Sequence, residues 1–158
     1  MSLIGYLIHS QINNSIITSD IKNLKFSLWN KLNPGKIPIF QPYKYLIDID
    51  PLPHSWEVTS DSIAYYITQI LNIEKIILIK DVDGLFNKDP NIHSSVKFIE
   101  KISISNLEKM FKKTCIDTFL PKLIKKYRKP CTLVNGLYPS RIIKIFENRS
   151  TRYTVINL

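Results

Sequence analysis

Lys75-Ile76-Ile77-Leu78-Ile79-Lys80, running straight into Asp81-Val82-Asp83-Gly84-Leu85-Phe86-Asn87-Lys88-Asp89-Pro90, is the stretch on which the fold turns. Four consecutive apolar residues, Ile76 to Ile79, held between lysines have the length and composition of a strand buried on both faces of a mostly parallel sheet. Asp81 to Pro90 must then be a loop at that strand's carboxyl end. Ligands of open α/β sheets bind outside the carboxyl ends of the strands, so this loop is the first candidate site. Gly84 permits a sharp turn that brings backbone close to a ligand, Phe86 offers an aromatic face, and Lys80 and Lys88 offer cations for phosphate. The acids do not make a calcium loop, because a third ligand before the glycine and a closing glutamate are missing. Alone, the segment serves equally well as a plain turn.

Upstream, Thr59 or Ser60 can cap a helix whose inner face would carry Ile63, Ala64, Ile67, Ile70 and Leu71. The chain opens with apolar residues at Leu3, Ile4, Leu7, Ile8 and Ile12, a helical stripe over residues 2–13. Between the two, prolines punctuate short apolar runs, Ile37 to Phe40 and Tyr45 to Ile47, which read as strands or strand-like loops. Downstream, Ser103 or Ser105 can cap a short helix through Lys112, and a further helix runs from about Asp117 to Tyr127. Cys131 to Val134 is a strand closed by an Asn135-Gly136 turn, Pro139 suits the first turn of a helix through Phe146, and Tyr153 to Ile156 is a last strand. Helix and strand in alternation predict an α/β fold, a mostly parallel sheet flanked by helices, in one domain over residues 1–158.

Composition narrows the function classes. The chain has 158 residues, 44% of them hydrophobic, which is enough for one core. Lys and Arg outnumber Asp and Glu by 22 to 13, and the net charge of +9 favours phosphate-bearing partners. Two cysteines without zinc-type spacing exclude a disulfide framework and point to reduced thiols in the cytoplasm. No window has the apolar length of a membrane span. His54 lies far from other ligand-type residues and reads as a packing or hydrogen-bonding group, so no metal ligand is assigned to the chain.

A second segment, Pro53-His54-Ser55-Trp56-Glu57-Val58-Thr59-Ser60-Asp61-Ser62-Ile63-Ala64, brings an acid, hydroxyls and a large aromatic to one helix start. Helix starts attract anions, although taken alone Thr59, Ser60 and Asp61 read more readily as simple caps of the helix. Taken with Leu78 to Phe86, Asp89-Pro90, Val134-Asn135-Gly136 and the Thr154-Val155-Ile156 ending, the order resembles the amino-acid kinase family. The Pro-His-Ser-Trp lead and Asp117 to Lys122 are most similar to its aminomethylfuran-methyl phosphate kinase branch. The resemblance covers most of the chain from about Leu52 onward and implies the carboxyl-terminal portion of that fold, an ATP-dependent kinase and Mg²⁺ on the nucleotide. Carried over, it makes Asp61 the carboxylate that orients catalytic lysines and Lys122 the contact to the transferred phosphoryl group. It sets Trp56, Glu57, Thr59 and Ser60 towards the substrate, and Lys80, Asp81, Asp83, Gly84, Leu85, Phe86, Asp89 and Pro90 around the nucleotide. Without the resemblance, Lys122 belongs to a lysine-rich run of the kind that covers a solvated helix face.

The four glycines, Gly5, Gly35, Gly84 and Gly136, stand alone, whereas the family cradles phosphate in two glycine clusters. The chain is therefore expected to lack the amino-terminal phosphate-loop segment, Met1 standing where an internal methionine could serve as a start, and to be poor in activity by itself. An exposed sheet edge would follow, and with it a homo-oligomer or a complementing amino-terminal segment. The alternative is a non-catalytic nucleotide-binding or scaffolding module. A nucleic-acid partner ranks last, because no recognised module accompanies the charge.

Overall fold

The computed structural model describes residues 2–30, 35–88, 92–93, 95–110 and 114–158. It divides into two compact units, Met1–His54 and Ser55–Leu158.

In the first unit, helix α1 (Ser2–Gln11) leads into strand β1 (Ser15–Thr18), helix α2 (Ile21–Asn30), strand β2 (Ile37–Phe40) and helix α3 (Tyr43–Ile49). β1 and β2 pair in parallel, Ser15 opposite Ile37 through Thr18 opposite Phe40. α1 begins where the sequence places it and ends two residues short of Asn13, at Gln11, while Tyr45 to Ile47, expected as strand-like, lie inside α3. A short apolar run does not separate strand from helix by periodicity. Pro42, at φ −76°, is already helical and sets the first turn, and Asp50, left-handed at φ 47°, ends it.

In the second unit, helix α4 (Ser60–Ile70) precedes strand β3 (Ile77–Lys80). A short hairpin of β4 (Leu85–Phe86) and β5 (Phe98–Ile99) follows. Next come strand β6 (Lys101–Ser103), helix α5 (Ile104–Leu107), helix α6 (Leu120–Tyr127), strand β7 (Cys131–Asn135), helix α7 (Pro139–Phe146) and strand β8 (Thr154–Asn157). The main sheet runs β3-β7-β8-β6, with only β7 and β8 antiparallel. The α/β class, with its mostly parallel sheet, is the one the sequence leads to. Leu133, Val134 and Ile156 of the sheet and Leu120 and Ile124 of α6 are fully buried and make the centre of the core.

Four details differ from the sequence reading, the first being that α5 ends at Leu107, short of the expected Lys112. Among the described residues β3 pairs on one side only, with β7, and Ile79 is 62% exposed, so the strand is not buried on both faces. α4 buries Asp61, Ser62, Tyr65, Tyr66 and Ile67, while Ala64 is exposed. The inner face is rotated because Asp61 and Ser62 find ionic and hydrogen-bonding partners inside, and because Tyr65 donates its hydroxyl to the Lys129 carbonyl at 2.8 Å. Finally, α6 begins at Leu120 and not at Asp117, since the Asp117 carboxylate accepts from the Leu120 N–H at 2.8 Å and so stands outside the helix as its cap.

Candidate active site

Lys80, the last residue of β3, extends its ammonium to both oxygens of Asp61 in the first turn of α4, at 2.9 and 2.8 Å. Both side chains are largely shielded from water. An ion pair at such depth is held by the geometry of the two elements that supply it, and removing one member would leave the other charged and unmatched.

The geometry of α4 is in turn set by Asp117. Its Oδ2 accepts from the Thr59 N–H, the Thr59 hydroxyl and the Ser62 N–H, each at 2.9 Å, and its Oδ1 accepts from the Ser62 hydroxyl at 2.6 Å. With the Leu120 N–H as a fifth donor, one carboxylate caps the starts of both α4 and α6. This is why Thr59, in extended backbone at the cap position, makes no cap with its own side chain. Burial alone would push the Asp117 carboxyl up, but the hydrogen bonds from Ser62, Thr59 and Leu120 outweigh it and hold it below the usual carboxylate range. The Asp117 N–H also reaches Asp61 Oδ2 at 3.3 Å.

An open cleft of about 370 Å³ lies over this arrangement, walled by Asp61, Lys80, Thr59 and Ser60 on one side and by Thr114 to Thr118 on the other, with Trp56 at its rim. The Trp56 side chain is 99% exposed, a large aromatic surface left in water at the mouth of the cleft. A second, more apolar cavity of about 230 Å³ shares Thr114, Ile116, Asp117 and Thr118 and adds Leu107, Met110, Pro121 and Lys122. Lys122 lies 3.5 Å from Glu57, both exposed, and 5.4 Å from the centre of the Phe119 ring. A pair so exposed contributes little to stability.

The Gly84 turn is fastened next to the cleft without lining it. Gly84 is buried at φ 140°, where a side chain would meet Thr154 and Phe98. The Thr154 hydroxyl accepts from the Leu85 N–H at 3.0 Å and donates to the Ile99 carbonyl at 2.6 Å. Cys115, on the cleft wall, contacts the Gly84 carbonyl through sulfur at 3.5 Å. Asp83 receives Asn135 at 3.0 Å, Arg141 at 2.5 Å and Arg152 at 3.3 Å. Burial would raise its carboxyl, but these partners together hold it low.

Of the residues singled out from sequence, Trp56, Thr59, Ser60, Asp61 and Lys80 come together at the cleft. Lys122 lines the neighbouring cavity, with Glu57 beside it. Asp81 is exposed, and Asp83, Gly84, Leu85 and Phe86 form the fastened turn behind Cys115. Asp89 and Pro90 lie outside the described residues. Sequence reading missed Asp117, Arg141 and Arg152. Asp117 had a usable signal, an acid a few residues ahead of Leu120-Pro121, which is the pattern of a helix cap. The arginines had none, because their common partner, Asp83, is distant in sequence.

A cleft outside the carboxyl end of a strand, beside the start of a helix, is where ligands of largely parallel α/β sheets bind. The chain belongs to the amino acid kinase family, whose profile matches residues 7–131. It is 33% identical over 131 residues to the [5-(aminomethyl)furan-3-yl]methyl phosphate kinase of Methanocaldococcus jannaschii, a match covering 83% of this chain and 57% of that enzyme. In fold it is similar to the UMP kinase of Bacillus anthracis, with a TM-score of 0.73 at 20% identity over 98% of this chain and 63% of that one. The UMP kinase of Ureaplasma parvum gives 0.71 at 20% identity over 99% and 65%. The chain thus spans little more than half the length of the curated relative and under two thirds of the UMP kinases.

Proposed function

We propose that this chain carries the nucleotide and acceptor sites of an ATP-dependent kinase acting on a small, phosphate-bearing molecule, within a single amino-acid-kinase domain in the cytoplasm. The observation that carries the reading is the Lys80–Asp61 pair held by Asp117 at the floor of the open cleft. Phosphoryl transfer asks a protein mainly to position reactants and neutralise charge. Asp61 fixes the Lys80 ammonium, which faces the phosphates, and Lys122 approaches the transferred group from the adjoining cavity. Thr59 and Ser60 offer hydroxyls to the acceptor, with Glu57 and the Trp56 ring at its outer edge. Asp81 to Phe86, with Asp89 and Pro90, enclose the nucleoside, Asp83 acting through the shape that Arg141 and Asn135 give the turn.

Among the described residues no cluster of three or more histidine, cysteine or acidic side chains is placed to hold a metal. By the family relationship a Mg²⁺ would come with the nucleotide phosphates, whose charge it offsets. Among the described residues no helix is long and apolar enough to cross a membrane. The family relationship to a kinase of an aromatic phosphate ester, and the exposed Trp56, favour a flat acceptor bearing phosphate.

A second reading, a nucleotide-binding module without turnover, draws on the four isolated glycines, which leave no clustered backbone amides for the phosphates. Calorimetry with MgADP, followed by phosphorus NMR with ATP and a panel of aromatic phosphate esters, separates the two. Binding with transfer supports the kinase, and binding without transfer supports the module. No nucleotide binding, or binding unchanged in Asp61→Asn and Lys80→Met, refutes both.

A further inference from the structure

We infer that Arg152 is a positioning residue for the nucleotide: by holding Asp83 and Phe98 together it keeps the Gly84 turn and the β4–β5 hairpin in one arrangement.

The hairpin has little to hold it on its own. β4 and β5 are two residues each, with Leu85 opposite Ile99 and Phe86 opposite Phe98. Next to them the Asn87 N–H donates to the Lys97 carbonyl at 3.0 Å, and the Lys97 N–H donates to Asn87 Oδ1 at 2.7 Å. An isolated two-stranded hairpin is marginal in water even when its strands are longer than these. It leads directly out of Gly84, so any looseness in the hairpin passes into the turn.

What fixes both is the start of β8 and the residues before it. Thr154 ties the backbones, one hydrogen bond to each hairpin strand, through the Leu85 N–H and the Ile99 carbonyl. Arg152, two residues earlier, ties the side chains. Its Nη1 is 3.3 Å from Asp83 Oδ2, and its guanidinium lies 4.5 Å from the centre of the Phe98 ring. Phe98 meets Phe86 edge-on at 5.5 Å between ring centres, and it backs Gly84 so closely that an added Cβ would come within 3.2 Å of it. One guanidinium thus bridges the residue before Gly84 and the ring behind Gly84.

The two arginines on Asp83 differ in kind. Arg141 is largely shielded and binds Oδ1 at 2.5 Å beside Asn135, which anchors the turn to β7 and α7. Arg152 is half exposed and its contact is longer, so it adds little to global stability. A planar guanidinium can face a carboxylate along its edge and a ring on its flat side at once, which a lysine cannot reproduce. Such a bridge serves placement more than folding. The inference rests on the reading that the Asp81–Phe86 turn encloses the nucleoside, where a misplacement of about 1 Å can cost on the order of 100-fold.

Calorimetry with MgADP and amide exchange followed by NMR, both on the full chain, test it together. Arg152→Ala should leave the urea midpoint nearly unchanged, speed exchange at the Leu85 and Asn87 N–H groups at least about tenfold, and raise the MgADP Kd about tenfold or more. Arg152→Lys should recover only part of that affinity. Arg149→Ala, at an exposed residue paired with Glu147, should change none of the three readings. Should Arg152→Ala fail to fold, Phe98→Leu removes the ring instead and should give the same two changes; the two substitutions together should cost MgADP affinity no more than either alone. If the wild type binds MgADP and Arg152→Ala binds it as tightly, or leaves the Leu85 and Asn87 exchange as it was, the inference is overturned and the kinase reading stands. Full recovery by lysine, or a loss of affinity matched by an equal fall in the urea midpoint, would overturn it as well. A wild type that binds no MgADP would remove the kinase reading and this inference with it.

Discussion

Replacing Asp117 with Asn tests whether one carboxylate sets both helix starts. Five donors converge on it: three on Oδ2, namely the Thr59 N–H, the Thr59 hydroxyl and the Ser62 N–H, and two on Oδ1, the Ser62 hydroxyl and the Leu120 N–H. An amide has only one acceptor oxygen. The less costly orientation keeps that oxygen on the α4 side and turns its NH₂ towards Leu120, leaving the α6 start uncapped at a cost of about 1 kcal/mol. The remaining bonds also lose their charge assistance, which is worth about 1–2 kcal/mol more. The sum, about 2–3 kcal/mol at pH 7, should lower the melting temperature by roughly 5–10 °C for a chain of this size. Urea denaturation at fixed pH measures it directly. The pH dependence follows from the depressed carboxyl: its stabilisation is complete above the ordinary carboxylate pKa and is lost as pH falls through the folded value. The gap between wild type and Asp117→Asn should therefore shrink below about pH 4. A cost under about 0.5 kcal/mol at pH 7, or a gap that does not close in acid, would show that α4 and α6 hold their starts without it.

Other positions give sharper or simpler outcomes. Gly84→Ala places a Cβ against Thr154 at a φ of 140° that L-residues avoid, so chemical denaturation should show a loss of about 3 kcal/mol or more, and a loss below 1 would contradict the buried turn. Trp56→Ala, at a fully exposed side chain, should change stability by less than about 0.5 kcal/mol yet weaken acceptor use more than nucleotide binding; equal effects on both would remove Trp56 from the acceptor side. Burial pushes the Cys115 thiol up to about 11 and that of Cys131 up to about 12. At pH 8 both should alkylate at least about 100-fold more slowly than free cysteine until urea exposes them, and rates within tenfold of the free amino acid would count against the packed wall.

Much of the fold was legible because its signals are local. Pro139 to Phe146 matches α7 residue for residue, since a proline at the first helical position and the apolar spacing after it need no tertiary help. Reading failed where a distant partner overrides the local pattern. The inner face of α4 cannot be found by seeking apolar residues when two of its buried members are Asp61 and Ser62, made acceptable inside by Lys80 and Asp117. The exposure of Ile79 is of the same kind, because whether a strand is central or at an edge depends on pairing, which four apolar residues in a row do not encode. The cleft residues were found through motif order, and the carboxylate that organises them was passed over because Asp117 was counted into the helix it caps.

The charges of the cleft lead to one more expectation. Among the described residues its wall carries Asp61 and Asp117 against Lys80, which Asp61 already engages, so these residues hold one negative charge in excess. A bare triphosphate entering it meets net repulsion at close range, whatever the attraction of the distant surface lysines, which salt screens within about 10 Å. A cation that arrives with the nucleotide reverses that sign locally. ATP affinity measured by calorimetry should thus fall at least about tenfold, or 1.4 kcal/mol, when Mg²⁺ is removed with EDTA at constant ionic strength. Adenosine, which has no phosphate, should bind equally with and without the metal. If ATP bound as tightly in EDTA as in Mg²⁺, the phosphates would not be lying in the cleft beside Lys80 and Asp61.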